Sequence, residues 1–212
     1  MPKIEESEEA GMSKRILFYG DSNTYGFDPR DFWGGRYDTE KIWTNRLNRN
    51  PEWEILARGE NGREIPHTAL QFEWLDKILS GAAPVDLFAV MLGTNDLFQM
   101  VGGSVPAILQ RMEKMLLRVM AHPAMQQEGT KLLLLAPAPI RLFGGAEEAR
   151  LTEITRTWGA AYRALAEKLD IAFADVGEWD IPLAFDGVHF SEEGHEKFGI
   201  FVNNLLKLIF NK

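Results

Sequence analysis

Asp86-Leu87-Phe88-Ala89-Val90-Met91-Leu92-Gly93 decides how this chain folds. Six apolar side chains in a row do not alternate, which rules out a strand with one wet face. The run reads as a central strand of a parallel sheet, buried on both sides. Downstream, Ser104 to His122 places Ile108, Met112, Met115, Leu116 and Val119 on one helical stripe, the pattern of a helix packing on a sheet. A second buried strand follows at 131–137, then a helix over about 147–169 and a strand at 171–176. Upstream, a helix spans roughly 66–80, a strand Trp53 to Ala57, and a helix about 40–50 that Pro51 stops. The first strand, Ile16 to Tyr19, ends at Gly20 and opens a long loop. The last helix begins after Ser191, whose hydroxyl and the following Glu192 and Glu193 suit a helix start. It turns Phe198, Phe201, Val202, Leu205, Leu206 and Ile209 inward. Five strands alternating with five helices call for a mostly parallel sheet with helices on both faces, a three-layer α/β/α sandwich.

The composition suits one core. The chain has 212 residues, 45% hydrophobic and 25% charged, as in an ordinary globular protein. Residues 14–212 read as a single domain. Residues 1–13, with four glutamates and no apolar centre, read as an acidic disordered tail, and Met12 offers an alternative start. The 23 basic and 31 acidic residues leave a net charge of −8. That balance, with no Lys/Arg cluster, argues against nucleic acid and anionic membrane surfaces as partners. There is no cysteine, which excludes disulfides, thiolate nucleophiles, zinc–thiolate sites and iron–sulfur clusters. The longest apolar run, Leu132 to Ile140, is too short to span a membrane and contains Pro137 and Pro139. The N-terminus lacks the basic start and apolar centre of a signal peptide, so a cytoplasmic location is expected.

Open α/β sheets bind ligands beyond the carboxyl ends of their strands. There the sequence places Gly20-Asp21-Ser22-Asn23 after strand 1, Gly59-Glu60-Asn61-Gly62 after strand 2 and Gly93-Thr94-Asn95-Asp96 after strand 3. Asp186-Gly187-Val188-His189-Phe190-Ser191 stands before the last helix. A hydroxyl, an imidazole, a carboxylate and several amide donors on one sheet edge are the parts of acyl transfer through a serine nucleophile. Read singly, each has a plainer role: Ser22 as a turn residue capping a helix, His189 as a core histidine, Asn95 and Asp96 as helix caps, Gly59 as a place of backbone freedom. Asp21 reads as a brace for its loop. His67, His122 and His195 have no metal-ligand spacing, and no metal or cofactor is expected.

The four blocks resemble those of the SGNH (GDSL-like) hydrolase superfamily, over residues 15 to about 200. Its serine, glycine, asparagine and histidine fall on Ser22, Gly59, Asn95 and His189. The resemblance implies Ser22 as nucleophile, His189 as general base and Asp186 as the group orienting it. It further implies an oxyanion hole from the Ser22 and Gly59 backbone N–H groups and the Asn95 side chain, on a flavodoxin-like sheet of five parallel strands. GDSNTYGFDP (20–29), RYDTEKIW (36–43) and MLGTND (91–96) resemble the bacterial arylesterase branch, in which homo-oligomers are common. One departure is Asn23, where the motif that names the superfamily has leucine. The nucleophile elbow of α/β-hydrolases is excluded, because Gly20 is matched by Thr24 instead of a second glycine.

The expected activity is a carboxylester hydrolase, an arylesterase or short-chain acyl esterase, acting on small esters without a cofactor. An acyltransferase, a perhydrolase or a carbohydrate acetylesterase needs the same residues. A non-catalytic flavodoxin-like binding module needs a phosphate cradle, and neither G-x-G-x-x-G nor G-x-x-x-x-G-K-[ST] occurs. Asp180 competes with Asp186 but has no motif behind it. Phe27, Phe32, Trp33 and Tyr37 read either as the wall of an acyl or aryl pocket or as a subunit contact, and Trp179 as pocket or core.

Overall fold

In the computed structural model, which describes residues 13–31, 33–99 and 104–211, the apolar run 87–91 is β3 (Leu87–Met91), and all five of its residues are buried. It pairs in parallel with β1 (Lys14–Gly20) on one side and β4 (Lys131–Ala136) on the other. Outside these lie β2 (Trp53–Gly59) and β5 (Ala172–Asp175), giving the order β2-β1-β3-β4-β5 with every pair parallel. This is the flavodoxin-like order, with its switch point between β1 and β3.

Alternation along the strands feeds two cores. Leu17, Tyr19, Phe88, Val90 and Leu134 face one layer, where they meet α3 (Ala69–Ala82), α5 (Val105–Ala121) and α6 (Ala146–Leu169). Ile16, Phe18, Leu87, Ala89, Met91 and Leu133 face the other, against α2 (Trp43–Leu47) and α7 (Glu192–Phe210). The α5 stripe is fully buried, as its periodicity requires, and Phe198, Val202 and Leu206 of α7 are fully buried too. Each large apolar side chain so buried contributes about 1.5–3 kcal/mol.

Three local readings differ. The loop after β1 begins with a single helical turn, α1 (Ser22–Tyr25), closed by Gly26 in the left-handed region. The helix expected over 40–50 is broken into a 3-10 turn at Thr39–Lys41 and the short α2, because Ile42 between them is extended. Ile42 is 1% exposed and lies directly beneath Gly26, so its burial takes precedence over helix continuity. The helix expected at 66–80 starts later, where Thr68 and Gln71 form a reciprocal capping box. Residues 1–12, most of the acidic stretch, lie outside the described residues, as does Phe32.

The loop after β2 is tied down from β3. Asp96, in α4 (Thr94–Gln99), is fully buried, accepts the Ile65 N–H at 2.9 Å and pairs with Arg111 at 3.1 Å. Burial raises its pKa, against the pull of these two donors. Truncation strands a buried N–H and leaves Arg111 with Glu64 as its remaining carboxylate partner. Asp96→Ala is therefore expected to lose about 3 kcal/mol of stability, read as a lower thermal midpoint in calorimetry.

Candidate active site

Asp21 sets the first corner. Its extended backbone ends β1, and its carboxylate accepts the Asn23 N–H at 2.9 Å, so the chain enters α1 with Ser22 as its first helical residue. A residue in that place has no intrahelical acceptor for its own N–H. Ser22 is 7% exposed, with its Oγ 3.0 Å from His189 Nε2. His189 Nδ1 lies 2.6 Å from Asp186 Oδ2, while Asp186 Oδ1 accepts the N–H groups of Val188 at 3.0 Å and His189 at 3.1 Å. Burial works to raise the Asp186 pKa, but the hydrogen bonds from the His189 ring and the two amides outweigh it and hold the carboxyl below its ordinary value. It is ionised at neutral pH and can hold the ring with its proton on Nδ1 and a basic Nε2 toward the serine.

The turn carrying this pair closes on itself. Ala184 N–H bonds the His189 carbonyl at 2.7 Å, and Arg141 N–H bonds the Gly187 carbonyl at 2.7 Å. Gly187 has φ +69°, and a Cβ there would lie 1.9 Å from the Arg141 carbonyl oxygen, so a side chain is excluded on both counts. Asp180, the rival carboxylate, points away: it is mostly exposed and engages Arg141 and Lys197.

The other two blocks come to the neighbouring strand ends. Gly59 is in register with Gly20, and the backbone of α1 crosses directly over it: a Cβ would stand 2.1 Å from the Tyr25 nitrogen. The missing side chain thus lets α1 pack on the sheet. Asn95, the second residue of α4, directs Nδ2 to the Arg63 carbonyl at 3.0 Å and makes no direct bond to Ser22.

Two residues do more than the sequence suggested. Asn23 accepts the Phe190 N–H through Oδ1 at 2.8 Å and donates through Nδ2 to the Val188 carbonyl at 3.3 Å, clamping the serine turn onto the histidine turn. Arg63 donates to the Gly20 carbonyl at 2.9 Å and to the Arg58 carbonyl, pairs with Glu60 at 2.6 Å, and lies 4.2 Å over the Tyr19 ring. Nothing in the spacing marked it.

Of the loop aromatics, Phe27 lies against the His189 ring, centroids 4.5 Å apart. Tyr37 is buried against His195, and Trp33 is 90% exposed. Trp179 stacks on Phe201 in the α7 core. His195 is fully buried, and burial pushes its pKa down to about 4, so it is neutral near pH 7. Among the described residues no cluster of three or more His, Cys, Asp or Glu side chains is arranged to hold a metal, and no helix is long and apolar enough to cross a membrane.

The model of the GDSL-like lipase/acylhydrolase family matches residues 18–197. This chain belongs to that family. It is accordingly a carboxylic ester hydrolase of the SGNH superfamily. Solved structures agree. A putative arylesterase from Agrobacterium tumefaciens is similar at 28% identity and a TM-score of 0.82, covering 93% of this chain and all of its own. A carbohydrate acetylesterase family member from Sinorhizobium meliloti is similar at 27% identity and 0.81, covering 94% of this chain and all of its own. The inhibitor-bound aryl esterase of M. smegmatis, at 23% identity and 0.81 over 93% of this chain and all of its own, shares the fold. No curated protein matches the sequence.

Two predictions follow from the braces. Asn23→Leu removes both bonds to the histidine turn and is expected to lower kcat on p-nitrophenyl acetate about 100-fold, with a lower melting temperature, because small misplacements of reacting groups are costly. Asp21 is fully buried, and that burial raises its pKa to about 6, against its bond from Asn23 and the nearby His189 and Arg63. The folded state therefore holds this proton more tightly than the unfolded chain, and stability is lost as pH rises from about 4 to about 6. Asp21→Asn keeps the cap without the charge. Its stability relative to wild type should increase by on the order of 3 kcal/mol across that window, measured by denaturant titrations at a series of pH values.

Proposed function

We propose that this family member hydrolyses short-chain esters through an acyl-enzyme on Ser22. The observation that carries the reading is the unbroken hydrogen-bonded line Ser22–His189–Asp186 at the β1/β3 switch point. Ser22 Oγ attacks the ester carbon while His189 Nε2 takes its proton. Asp186 holds the imidazole tautomer and balances the imidazolium that forms. In this reading the oxyanion is received by the backbone N–H groups of Ser22 and Gly59 and by the Asn95 amide. His189 then gives its proton to the departing alcohol oxygen as the acyl–oxygen bond breaks. In the second half, His189 draws a proton from water, which attacks the acyl-enzyme, and the acid leaves as Ser22 is reprotonated. The carbohydrate acetylesterase family member among the similar structures supports a short acyl group in the substrate.

The test is hydrolysis of p-nitrophenyl esters from acetate to octanoate. Wild type should favour the shortest chains. Ser22→Ala should lose several orders of magnitude, Asp186→Asn about 10⁴-fold, and Asn95→Ala about 10²–10³-fold in kcat. An inert wild type, or a Ser22→Ala variant of equal activity, overturns the reading.

A further inference from the structure

Phe27 is partly buried and, among the described residues, belongs to neither of the two cores. Its place is nevertheless fixed from several sides. Gly26 and Phe27 both donate their N–H groups to the Ser22 carbonyl, at 2.9 and 3.1 Å. Phe27 also bridges to Arg36, and the Tyr37 N–H returns to the Gly26 carbonyl at 2.9 Å, so the two arms of this loop run antiparallel. Further along, the loop is fastened to α7: Arg30 pairs with Glu192 at 2.8 Å and Lys41 pairs with the same carboxylate at 3.1 Å. Glu192 stands three residues after His189. The backbone of Phe27 is thus tied to the serine turn, while its ring lies against the imidazole, with centroids 4.5 Å apart and planes at 52°.

The imidazole gains from such a neighbour. Its hydrogen bonds, Nδ1 with Asp186 and Nε2 with Ser22, act through the two ring nitrogens. They place those nitrogens but resist rotation about the axis joining them only weakly, because a hydrogen bond keeps most of its strength over about 30° of misalignment. A contact off that axis is what sets the plane of the ring, and Phe27 supplies one. A separation of 4.5 Å is at the short end for aromatic pairs, too close for two ring edges to meet, so a π face takes part in the contact.

The contact also changes in strength during the reaction. Before attack the imidazole is neutral. Once it has taken the Ser22 proton it is a cation beside an aromatic ring, inside the distance of about 6 Å at which the two attract. An interaction that strengthens as the proton moves lowers the barrier, whereas one equal in both states changes only binding. A residue that merely walled a pocket would act on KM instead. We infer that Phe27 is a positioning residue for His189: it fixes the imidazole plane beside Ser22, and its π electrons stabilise the imidazolium. The effect on hydrolysis rests on the Ser22 reading; the packing of Phe27 on His189 does not.

The experiment separates the two. Phe27 is replaced in the full chain by mono-, di- and trifluorophenylalanine, which keep the shape of the ring and withdraw its π density stepwise. On p-nitrophenyl acetate, kcat is expected to fall at each step, about fivefold by the trifluoro variant, with KM unchanged. Phe27→Leu should lose about tenfold in kcat, and Phe27→Trp should keep most of the wild-type value. An equal kcat across the fluorinated series, or losses confined to KM, overturns the inference. Because the fluorinated rings preserve the packing, a folding defect in Phe27→Leu does not decide the outcome. In parallel, Ser22→Ala protein with ring-labelled histidine is compared by NMR with and without Phe27→Leu. The His189 signal, assigned by its loss in His189→Gln, should move when the phenyl ring beside it is removed, and an unmoved signal overturns the inference. A moved signal in a protein whose Ser22→Ala variant is as active as wild type supports the packing and overturns the Ser22 reading instead.

Discussion

The side chain of Asn23 joins two turns that lie at opposite ends of the chain. Its Oδ1 and Nδ2 engage Phe190 and Val188, partners 167 and 165 positions away, so the serine turn and the histidine turn are clamped within hydrogen-bond reach of each other. The backbone of the same residue accepts the Trp43 indole N–H at 2.8 Å, which anchors the clamp to the α2–α7 core. An amide can donate and accept at once; an alkyl side chain of similar size can pack between the turns but does not set their register. The 3.0 Å contact between Ser22 and His189 therefore depends on a residue outside the hydrogen-bonded Ser22–His189–Asp186 line.

A second constraint acts on the opposite flank. The segment 58–66 carries the proposed oxyanion glycine, and it has little apolar material of its own to hold it. Its conformation is set by polar side chains acting on backbone atoms: Arg63 on the carbonyls of Gly20 and Arg58, Asn95 on the carbonyl of Arg63, Asp96 on the N–H of Ile65. Buried backbone groups must be paired, and here side chains from β3's following helix and from the loop itself serve where sheet hydrogen bonds have ended. The carbonyl of Gly20 receives both the Glu60 N–H and Arg63, so this loop is held to the end of β1.

Burial and bonding divide the three carboxylates near the serine. Asp186 is partly buried but receives three hydrogen bonds and stays ionised. The Asp21 carboxylate accepts the backbone N–H of Asn23, and burial pushes it up to about 6. Asp96 lies between, fully buried yet paired with Arg111. The chemical type is the same at all three; what surrounds it separates the ionised Asp186 from the two braces.

Much of this was legible in the residues. The unbroken apolar run at 87–92, the α5 stripe and the α7 stripe determine a parallel sheet covered on both faces, because two-sided burial leaves no polar alternation and a helix on a sheet needs one apolar face. The order of the Ser22, Gly59, Asn95 and His189 blocks places their chemistry at one sheet edge. The broken helix around Ile42, the one-turn α1, the burial of Tyr37 against His195, and the roles of Asn23 and Arg63 were not legible. Each depends on contacts between segments far apart in sequence, where packing beneath Gly26 or a bond to a distant carbonyl overrides local propensity. Periodicity and spacing are properties of the chain taken locally, so the sequence by itself determined the layers and the candidate reacting groups. Only the tertiary structure decided which polar side chains meet, because a hydrogen bond has direction and a reach of about 3 Å that no pattern along the chain encodes.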